Sequence, residues 1–321
     1  MNLPMHNCRS TSEPASMPHS PFVSVAVCTR NRPDLLSDCI RSIRNDEYSP
    51  KEILIVDNGS SELSSQVRRL AETYGCRYVY EAKLGQSAAR TTAFAESKGE
   101  IVAFVDDDAV VDRNWISSLV GDYSDSNVMC VNGRTVPSVE LKDLFFAEFI
   151  NYDRGKARRT FSWDDKRINV YKVLRASLRS GPLRELGPFP WCLGAGTNMS
   201  FRRNLCDLVG TFECYPTEDI DMFVRVLRAG YKLVYEPDAI VYHRFLQGFP
   251  EVAKKLYIYG RGDGAVMLKH CYDSYFAALY LGRILNVVYR FCSAFLKGDK
   301  KGGYAQSRYL LGLLCGAFWN G

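Results

Sequence analysis

The sequence lacks several features that define specialised classes of protein. Its eleven cysteines are an odd number and include no Cys-x-x-Cys pair, which argues against a disulfide framework and against a structural zinc site. Four widely separated histidines offer no zinc-binding spacing either. The formal charge is only +5 over 321 residues, too weak and too scattered to indicate a nucleic-acid partner. Residues 1–21 contain no apolar run of the kind that a secretory signal needs.

Together these absences favour a reducing compartment, and we expect a cytoplasmic protein. Cys28, Cys39 and Cys130 lie within apolar runs, where buried free thiols are expected. The polar composition of residues 1–21 predicts a disordered leader. The rest of the chain is long enough to bury a substantial core.

From Phe22 onward, short apolar strands alternate with amphipathic helices. Strands are predicted at 22–28, 52–56, 77–80, 101–105, 128–136, 233–235 and 240–242, and helices at 34–44, 61–74, 85–97, 115–123 and 217–230. The alternation in residues 22–105 predicts an α/β fold whose mostly parallel sheet is covered by helices on both faces. In such sheets, ligands bind beyond the carboxyl ends of the strands.

The most informative stretch is residues 101–112, IVAFVDDDAVVD, in which a buried strand leads into three consecutive carboxylates. Alternate residues of an extended segment point the same way, so Asp106 and Asp108 can address one ligand while Asp107 faces elsewhere. Two such carboxylates suit a hard divalent cation, which in turn suits a diphosphate. A solvated turn after a strand is the alternative interpretation.

Other polar segments follow the predicted strands. Residues 29–32 come after the first strand and Asp57 after the second, so both fall at strand carboxyl ends together with the acidic stretch. A long polar and aromatic section at 142–184, with a basic cluster at 154–159, predicts a flexible insertion near a site or a solvated loop.

Two further motifs lie later in the chain. Residues 194–196, Gly-Ala-Gly, begin like a dinucleotide fingerprint, but Met199 occupies the third glycine position, so a close approach of backbone to a ligand is the better interpretation. Thr217 is the predicted N-cap of the helix that starts Glu-Asp-Ile-Asp. Acids in a first helical turn also simply complement the helix dipole.

These elements resemble the family 2 glycosyltransferases, which have the GT-A fold and use a nucleotide-activated sugar. The resemblance covers residues 23–243 and rests on six motifs in the family's order. They are VSVAVCTRNRP, IVDNGS, GQSAARTTAF, FVDDDAVVD, GAGTNMSFRR and TEDIDMFVRVLRAGYKLVYEPDAIVYH. It implies a GT-A domain at 22–245, followed by a helical C-terminal extension at 246–321.

The resemblance also implies a role for each matching residue. The donor nucleotide would be held by Thr29, Arg30, Asn31, Arg32, Asp57, Arg90, Asp106 and Asp107, with Asp57 facing the base. Mn²⁺ or Mg²⁺ would be bound by Asp108, with Asp106 and His243. The donor sugar and acceptor would contact a loop formed by Trp191, Gly194, Ala195, Gly196, Thr197 and Asn198.

Asp219 matches the family's general base, and Glu218 is the runner-up, with Asp221 a further competitor. An acceptor hydroxyl that attacks the anomeric carbon needs a carboxylate within hydrogen-bond reach to take its proton. A base opposite the leaving group predicts single displacement with inversion. The expected substrates are a nucleoside-diphosphate sugar, most simply a UDP-sugar, and a sugar or lipid-linked acceptor in polysaccharide, glycolipid or other glycoconjugate synthesis.

Beyond His243 the resemblance thins, and the sequence becomes apolar and helical. Residues 249–269 are predicted to be helical. Residues 274–296 are long enough to span a bilayer, but Arg283 and Arg290 make a span costly. A shorter apolar stretch follows at 309–319. Two interpretations fit. In one, residues 274–321 form an amphipathic surface in peripheral contact with the cytoplasmic face of a membrane. In the other, they form a tail packed on the domain or on a second subunit.

Two other functions remain open from the sequence. A nucleotidyltransferase also joins a nucleotide fold to metal-binding acids, but the expected glycine-rich loop after the first strand is missing from residues 28–33. A catalytically degenerate sugar-nucleotide-binding protein would be expected to lose acids at 106, 108 or 219, all of which are present. The donor sugar, the nucleotide base, the acceptor, the linkage and the oligomeric state do not follow from the sequence.

Overall fold

The computed structural model describes residues 20–138, 156–163, 195–214, 216–244 and 248–316. Within these ranges the strands are β1 Val23–Thr29, β2 Lys51–Asp57, β3 Arg77–Tyr80, β4 Ile101–Asp106, β5 Ala109–Val111, β6 Val128–Pro137, β7 Arg159–Phe161, β8 Asn198–Arg202 and β9 Lys232–His243. The helices are α1 Pro33–Asn45, α2 Ser64–Thr73, α3 Gln86–Glu96, α4 Trp115–Gly121, α5 Leu205–Val209, α6 Glu218–Arg228, α7 Phe249–Lys269, α8 Ser274–Leu296 and α9 Lys300–Cys315.

The first four strands form the parallel half of one mixed sheet, in the order β3-β2-β1-β4. Helices α1, α2 and α3 make the crossovers, which confirms the predicted alternation. Thr29 of β1 pairs with Asp57 of β2, and the neighbouring Cys28 pairs with Asp106 of β4. The polar residues that end these three strands therefore lie side by side at one edge of the sheet.

The second half of the sheet is mostly antiparallel and continues β8-β6-β9-β5 beside β4, with β7 also on β9. The sequence predicts two short strands at 233–235 and 240–242, whereas the structure has the single strand β9. Glu236 pairs with Gly133 and Ile240 with Arg134, so residues 237–239 form a bulge. Pro237 lies in this bulge because it has no N–H to donate to a ladder.

Alternate residues of the strands pack into two cores on opposite faces of the sheet. Val25 belongs to the core that α1, α2 and α4 complete, with Trp115 fully buried in it. Its neighbour Ala26 belongs to the core that α3, α5 and α6 complete. In that second core the rings of Phe94 and Phe104 lie 5.5 Å apart. Burial on both faces explains why β1 and β4 are almost continuously apolar.

The section at 142–184 is only partly described, but residues 156–163 are not a simple solvated loop. Arg159 begins β7 and pairs with Tyr235 of β9. Arg158 forms an ion pair with the buried carboxylate of Asp122. Trp163 stacks on Phe276 of α8 with ring centroids 5.8 Å apart. This part of the expected insertion therefore joins the sheet to the C-terminal helices.

The three C-terminal helices form a third core of their own around Leu256, Tyr309 and Leu313. Helices α7 and α8 have the predicted bounds, whereas α9 begins at Lys300, well before the apolar stretch that indicated it. Backbones of α7 and α9 touch at glycines: a Cβ on Gly312 would overlap the carbonyl oxygen of Tyr257. Two α-helices can approach this closely only where side chains are missing.

Candidate functional site

The polar residues at the edge of the parallel half are joined to each other by hydrogen bonds. Thr29 Oγ1 donates to Asp107 Oδ2 at 2.7 Å, which connects β1 to the acidic stretch after β4. Arg32 Nη1 donates to Asp107 Oδ1 at 3.2 Å and to Asp108 Oδ2 at 3.1 Å. Strands β2 and β3 lie on one side of β1, and β4 lies on the other, so the strand order reverses at β1. The carboxyl ends of the strands at such a reversal are the usual ligand position in α/β folds.

The three consecutive acids have different surroundings. Asp107 is only 4% exposed, and burial raises the pKa of its carboxyl group to about 6. Asp106 and Asp108 stay partly exposed, with 29% and 20% of their side chains accessible. The expected alternation is therefore present: Asp107 points inward beneath the site, and the two flanking carboxylates face outward.

His243 lies beside the carboxylates of Asp106 and Asp108, although it comes much later in the chain. It ends β9 opposite Ala109, the first residue of β5, so the antiparallel β5–β9 pairing brings it next to the acidic stretch. His243 Nε2 lies 3.1 Å from Asp108 Oδ1. One ligand atom from each of Asp106, Asp108 and His243 lies within 4.8 Å of the other two. Oxygen and imidazole ligands at this spacing fit a divalent cation.

The charges within this cluster are mutually stabilised. Burial would lower the pKa of His243, but its hydrogen bond to Asp108 and the negative charge there raise it. Burial would raise the pKa of Asp108, but His243 and Arg32 lower it. Each group thus favours the charged form of the other, and a cation bound by Asp108 would compete with the proton of the imidazolium.

The loop after β1 is shaped by Asn31, whose φ of 57° lies in the left-handed region that asparagine tolerates. Its backbone N–H donates to Ser60 Oγ at 2.9 Å, and its side-chain oxygen accepts from the Ser61 N–H at 3.1 Å. The loop is thereby fixed on the loop after β2. Arg30 and Arg32 are left exposed beside the acids.

Asp57 lies beneath this surface and is fully buried. One carboxylate oxygen accepts from the Ser60 N–H at 2.9 Å, and the other accepts from Ser64 Oγ at 2.8 Å and Tyr78 Oη at 2.9 Å. The resemblance implies that Asp57 faces the nucleotide base. In this structure its carboxylate holds the loop after β2 to α2 and β3, because all three polar groups converge on it. Its role towards the base stays a prediction.

Arg90 is a buried connection between separate parts of the site. Its guanidinium donates to Glu218 Oε1 at 2.5 Å, to the carbonyl oxygen of Gly196 at 2.9 Å and to Asp106 Oδ1 at 3.4 Å. Burial would lower the pKa of Arg90, but the charges of Glu218 and Asp106 raise it. The residue is 3% exposed, so it joins the acidic stretch to α6 rather than forming an open wall of a pocket.

Glu218 and Asp219 start α6 and point to different partners. Glu218 is buried against Arg90, and burial raises the pKa of its carboxyl group to about 7. Asp219 is partly exposed, and its Oδ2 accepts from the Gly196 N–H at 2.7 Å. Burial also raises the pKa of Asp219, although Arg90 opposes the rise. Of the two residues, Asp219 is the one that is partly accessible to solvent.

Position 196 has no room for a side chain larger than that of glycine. A Cβ at this position would lie 2.7 Å from Arg90 Nη2 and 2.9 Å from Asp219 Oδ2. Glycine is therefore required here by two side chains of the site, and the predicted approach of this backbone to a ligand stays a prediction.

Asp221 is separated from this group by the turn of the helix. Its carboxylate is fully buried and accepts from Arg225 Nε at 2.7 Å and Lys269 Nζ at 2.9 Å, with His270 Nε2 at 3.0 Å. Burial would raise the pKa of Asp221, but these three partners lower it. Asp221 therefore links α6 to the end of α7, and its carboxylate is occupied by protein partners.

The predicted sugar and acceptor loop is only partly described, since Trp191 and Gly194 lie outside the described residues. Ala195 and Thr197 are buried. Asn198 is fully buried, and its amide donates to the carbonyl oxygens of Arg134 and Ala239 and accepts from Trp115 Nε1. Asn198 begins β8 and fills the break in the β6–β9 pairing, where unpaired carbonyl groups need donors. Its predicted contact with substrate stays a prediction.

Sequence reasoning missed Gln86, whose Nε2 lies 3.4 Å from Asp106 Oδ1. Gln86 and Arg90 are four residues apart on α3 and therefore share one helical face. That spacing was the available signal, since a face that presents Arg90 to the acids also presents Gln86.

Comparisons with known proteins agree on one family. The model of the family described as glycosyl transferase family 2 matches residues 24–180. Glycosyltransferase AglE of Haloferax volcanii is 26% identical, over 76% of this chain and 73% of that protein. The glucosyl-dolichyl phosphate glucuronosyltransferase of the same organism is also 26% identical, over 70% of each chain.

Solved structures show the same fold. The mannosyltransferase PcManGT from Pyrobaculum calidifontis, in complex with GDP-Man and Mn²⁺, superposes with a TM-score of 0.63 at 18% identity. The match covers 94% of this chain and 88% of that one. A mycobacterial protein superposes with a TM-score of 0.53 at 21% identity, over 78% of this chain and 75% of that one.

Proposed function

This chain belongs to the family 2 glycosyltransferases, with a GT-A fold, and from that premise we propose that it moves a sugar from a nucleoside-diphosphate sugar to an acceptor hydroxyl with inversion. The observation that carries the proposal is the division of the acids into two groups. Asp106 and Asp108 lie with His243 at the end of the parallel half, and Asp219 lies on the other side of Arg90. A donor phosphate site and a separate base are the two parts that such a transfer needs.

Asp106, Asp108 and His243 are the residues that would hold Mn²⁺ or Mg²⁺, because their ligand atoms converge and are of the type these ions take. When bound, the cation would supply positive charge to the diphosphate of the donor and of the leaving group. Exposed Arg30 and Arg32 add positive charge at the same edge. Asp107 supports this surface from below through Thr29 and Arg32.

Asp219 is the proposed general base. The acceptor oxygen forms a bond to the anomeric carbon, the bond from that carbon to the diphosphate oxygen breaks, and the acceptor proton moves to the Asp219 carboxylate. The Gly196 N–H fixes one oxygen of this carboxylate, which orients the group. Its raised pKa makes it a stronger base than an exposed aspartate. Attack opposite the leaving group inverts the anomeric centre.

Donor and acceptor are proposed only by class. The fold neighbour PcManGT binds GDP-Man, so a GDP-sugar must be tested beside the UDP-sugar that we first expect. One relative is named for a glucosyl-dolichyl phosphate substrate, which supports including lipid-linked acceptors. We place the reaction on the cytoplasmic side of a membrane, since the buried thiols of Cys39 and Cys130 fit a reducing compartment.

The test is a panel of UDP- and GDP-sugars, with and without Mn²⁺, in which released nucleoside diphosphate is measured. We expect turnover with at least one donor, dependent on the cation. Asp219→Asn keeps an oxygen for the Gly196 N–H but removes the base, and should lower turnover by about 10²- to 10⁴-fold with unchanged donor binding. Asp207→Asn, an exposed acid on α5, is the matched control. Normal turnover by Asp219→Asn would remove Asp219 from this role.

A further inference from the structure

Helix α8 exposes a long apolar stripe to solvent. Its residues recur at the spacing of one helical face and are Leu281, Leu285, Val288, Tyr289, Phe295 and Leu296, with exposures from 39% to 84%. We call them the α8 stripe. Helix α9 adds exposed Tyr304, Leu311 and Leu314 on one side. Large apolar side chains in such a row are unfavourable in water and indicate a surface that is covered by something else.

The charge of this part of the chain has one sign. Residues 274–321 carry six Lys and Arg but a single acid, Asp299. Their formal charge of +5 equals that of the whole chain, which leaves equal numbers of acidic and basic residues elsewhere. Lys297, Lys300 and Lys301 are exposed directly after the end of the α8 stripe.

We propose that the α8 stripe, with Lys297, Lys300 and Lys301, docks on the surface of an anionic lipid bilayer. Apolar side chains would enter the interface, and the lysines would meet the anionic headgroups. This goes beyond the transfer reaction and holds for any donor.

Charge disfavours a second copy of the chain as the occupant. Asp299, the only acid in 274–321, already accepts from the Gly302 N–H at 2.9 Å as the cap of α9. Asp273, at the start of α8, caps the helix through Tyr275 and pairs with Arg228. A twofold dimer through the stripe would therefore bring lysines together without acids to meet them. Anionic headgroups supply the missing charge.

The geometry favours a helix that lies on the bilayer. Ser274–Leu296 is the one helix in the described ranges that is long and apolar enough to cross a membrane by length and composition. Its first half is part of the protein core, because Tyr275, Phe276 and Leu279 are buried. After Val287 no residue of the helix is buried. Those nine residues extend only about 14 Å, against roughly 30 Å of hydrocarbon.

Packing contacts lead from the docking surface to Asp219, the proposed base. Helix α7 packs on α9 through glycines, and Gly262 of α7 lies against Thr217, where a Cβ would come within 2.8 Å of the Thr217 backbone nitrogen. Thr217 directly precedes Glu218 and Asp219. A docked α8–α9 pair would therefore hold the start of α6 at a fixed orientation to the bilayer.

The experiment is sedimentation of the full chain with vesicles of phosphatidylcholine alone or with 30 mol% phosphatidylglycerol. We expect binding to the anionic vesicles that weakens as salt is raised. Lys297→Gln/Lys300→Gln/Lys301→Gln should weaken it by about fivefold per lysine at low salt, from roughly 1 kcal/mol for each basic residue. Phe295→Glu/Leu296→Glu should reduce it at least tenfold.

Matched controls distinguish this surface from general effects of charge or exposure. Lys98→Gln/Arg69→Gln/Arg113→Gln removes three exposed positive charges elsewhere, and Leu208→Glu changes an exposed leucine on α5. Both should bind vesicles like the wild type, and all variants should keep the wild-type melting temperature. Equal vesicle binding by wild type and Phe295→Glu/Leu296→Glu would overturn the proposal. So would a wild-type dimer that this variant converts to monomer without any vesicle binding.

Discussion

At the residue scale, Arg90 and Glu218 form the buried ion pair on which the site depends. They are 128 positions apart, and each is at most 3% exposed. Removing one member of a buried pair leaves the other charge without compensation, which typically costs 3–5 kcal/mol. We therefore expect Arg90→Met to lower the free energy of unfolding by about 3 kcal/mol at neutral pH, measured by urea denaturation.

The pH dependence of that loss identifies the cause. Burial raises the pKa of Glu218 to about 7 in the folded protein. The contribution of this carboxyl group to the free energy of unfolding is therefore fully present below its ordinary pKa and is lost as the pH rises through 7. Without Arg90 the pKa rises further, and the destabilisation should be larger at pH 8 than at pH 5. Arg90→Met/Glu218→Gln should lose this pH dependence. A destabilisation that is equal at both pH values would contradict the explanation.

Two buried polar residues at strand ends show how side chains satisfy nearby backbone groups. Asp57 ends β2 and Asn198 begins β8, and both are fully buried and bonded to protein groups. In each case the unpaired backbone of a turn or a bulge needed a polar side chain. Asp57 meets Ser60 and Ser64, which are near it in the chain. The partners of Asn198 are 41 or more positions away, so the sequence around Asn198 does not indicate them.

At the element scale, the contact between α7 and α9 depends on paired glycines. Gly260 and Gly264 of α7 face Gly312 of α9 and Gly316, which directly follows that helix. Gly312→Ala should destabilise the protein by about 1–3 kcal/mol, because its Cβ would overlap the Tyr257 carbonyl and force the helices apart. Differential scanning calorimetry measures the change.

Gly303→Ala, in the same helix, is the control. Its Cβ would meet only Ala294 Cβ at 3.9 Å, an ordinary contact. Alanine is favoured over glycine within a helix by about 1 kcal/mol, so this variant should be neutral or slightly stabilised. If Gly312→Ala were as stable as Gly303→Ala, the helices would not be held together by a close glycine contact.

Most elements were predictable because each carries its own periodicity. The strands of the parallel half and helices α7 and α8 agree with the sequence within a residue or two. The errors lie where a neighbouring element decides the outcome. β9 is one strand because β6 pairs with both of its parts across the bulge. Strand β7 forms in a polar section because the edge of β9 accepts it.

At the scale of the whole molecule, the proposed cation site joins the two halves of the sheet. Asp106 and Asp108 follow β4 of the parallel half, and His243 ends β9 of the other half. An ion that binds only the folded chain stabilises it, by roughly 2.7 kcal/mol at one hundred times its dissociation constant. We expect Mn²⁺ to raise the Tm by several degrees and a chelator to reverse the change, as measured by scanning fluorimetry.

Substitutions and changes of pH distinguish stabilisation by Mn²⁺ at this site from unspecific binding of the ion. Asp108→Asn and His243→Ala should abolish the shift, whereas Asp112→Asn, an acid just after β5, should keep it. Asp108 raises the pKa of His243, so protons should compete with the ion and the shift should shrink as the pH falls. An unchanged shift in Asp108→Asn would exclude this ligand set.

The sequence by itself determined the order of strands and helices, the edge of the sheet at which polar residues collect, and the motifs that indicate the family. These follow from periodicity, strand ends and short-range spacing, all of which are local. Only the tertiary structure decided which acid meets which partner. Arg90 reaches Glu218 and Gly196, His243 reaches Asp108, and Asp221 turns to α7, because sheet register and helix packing bring together residues that are far apart in the chain.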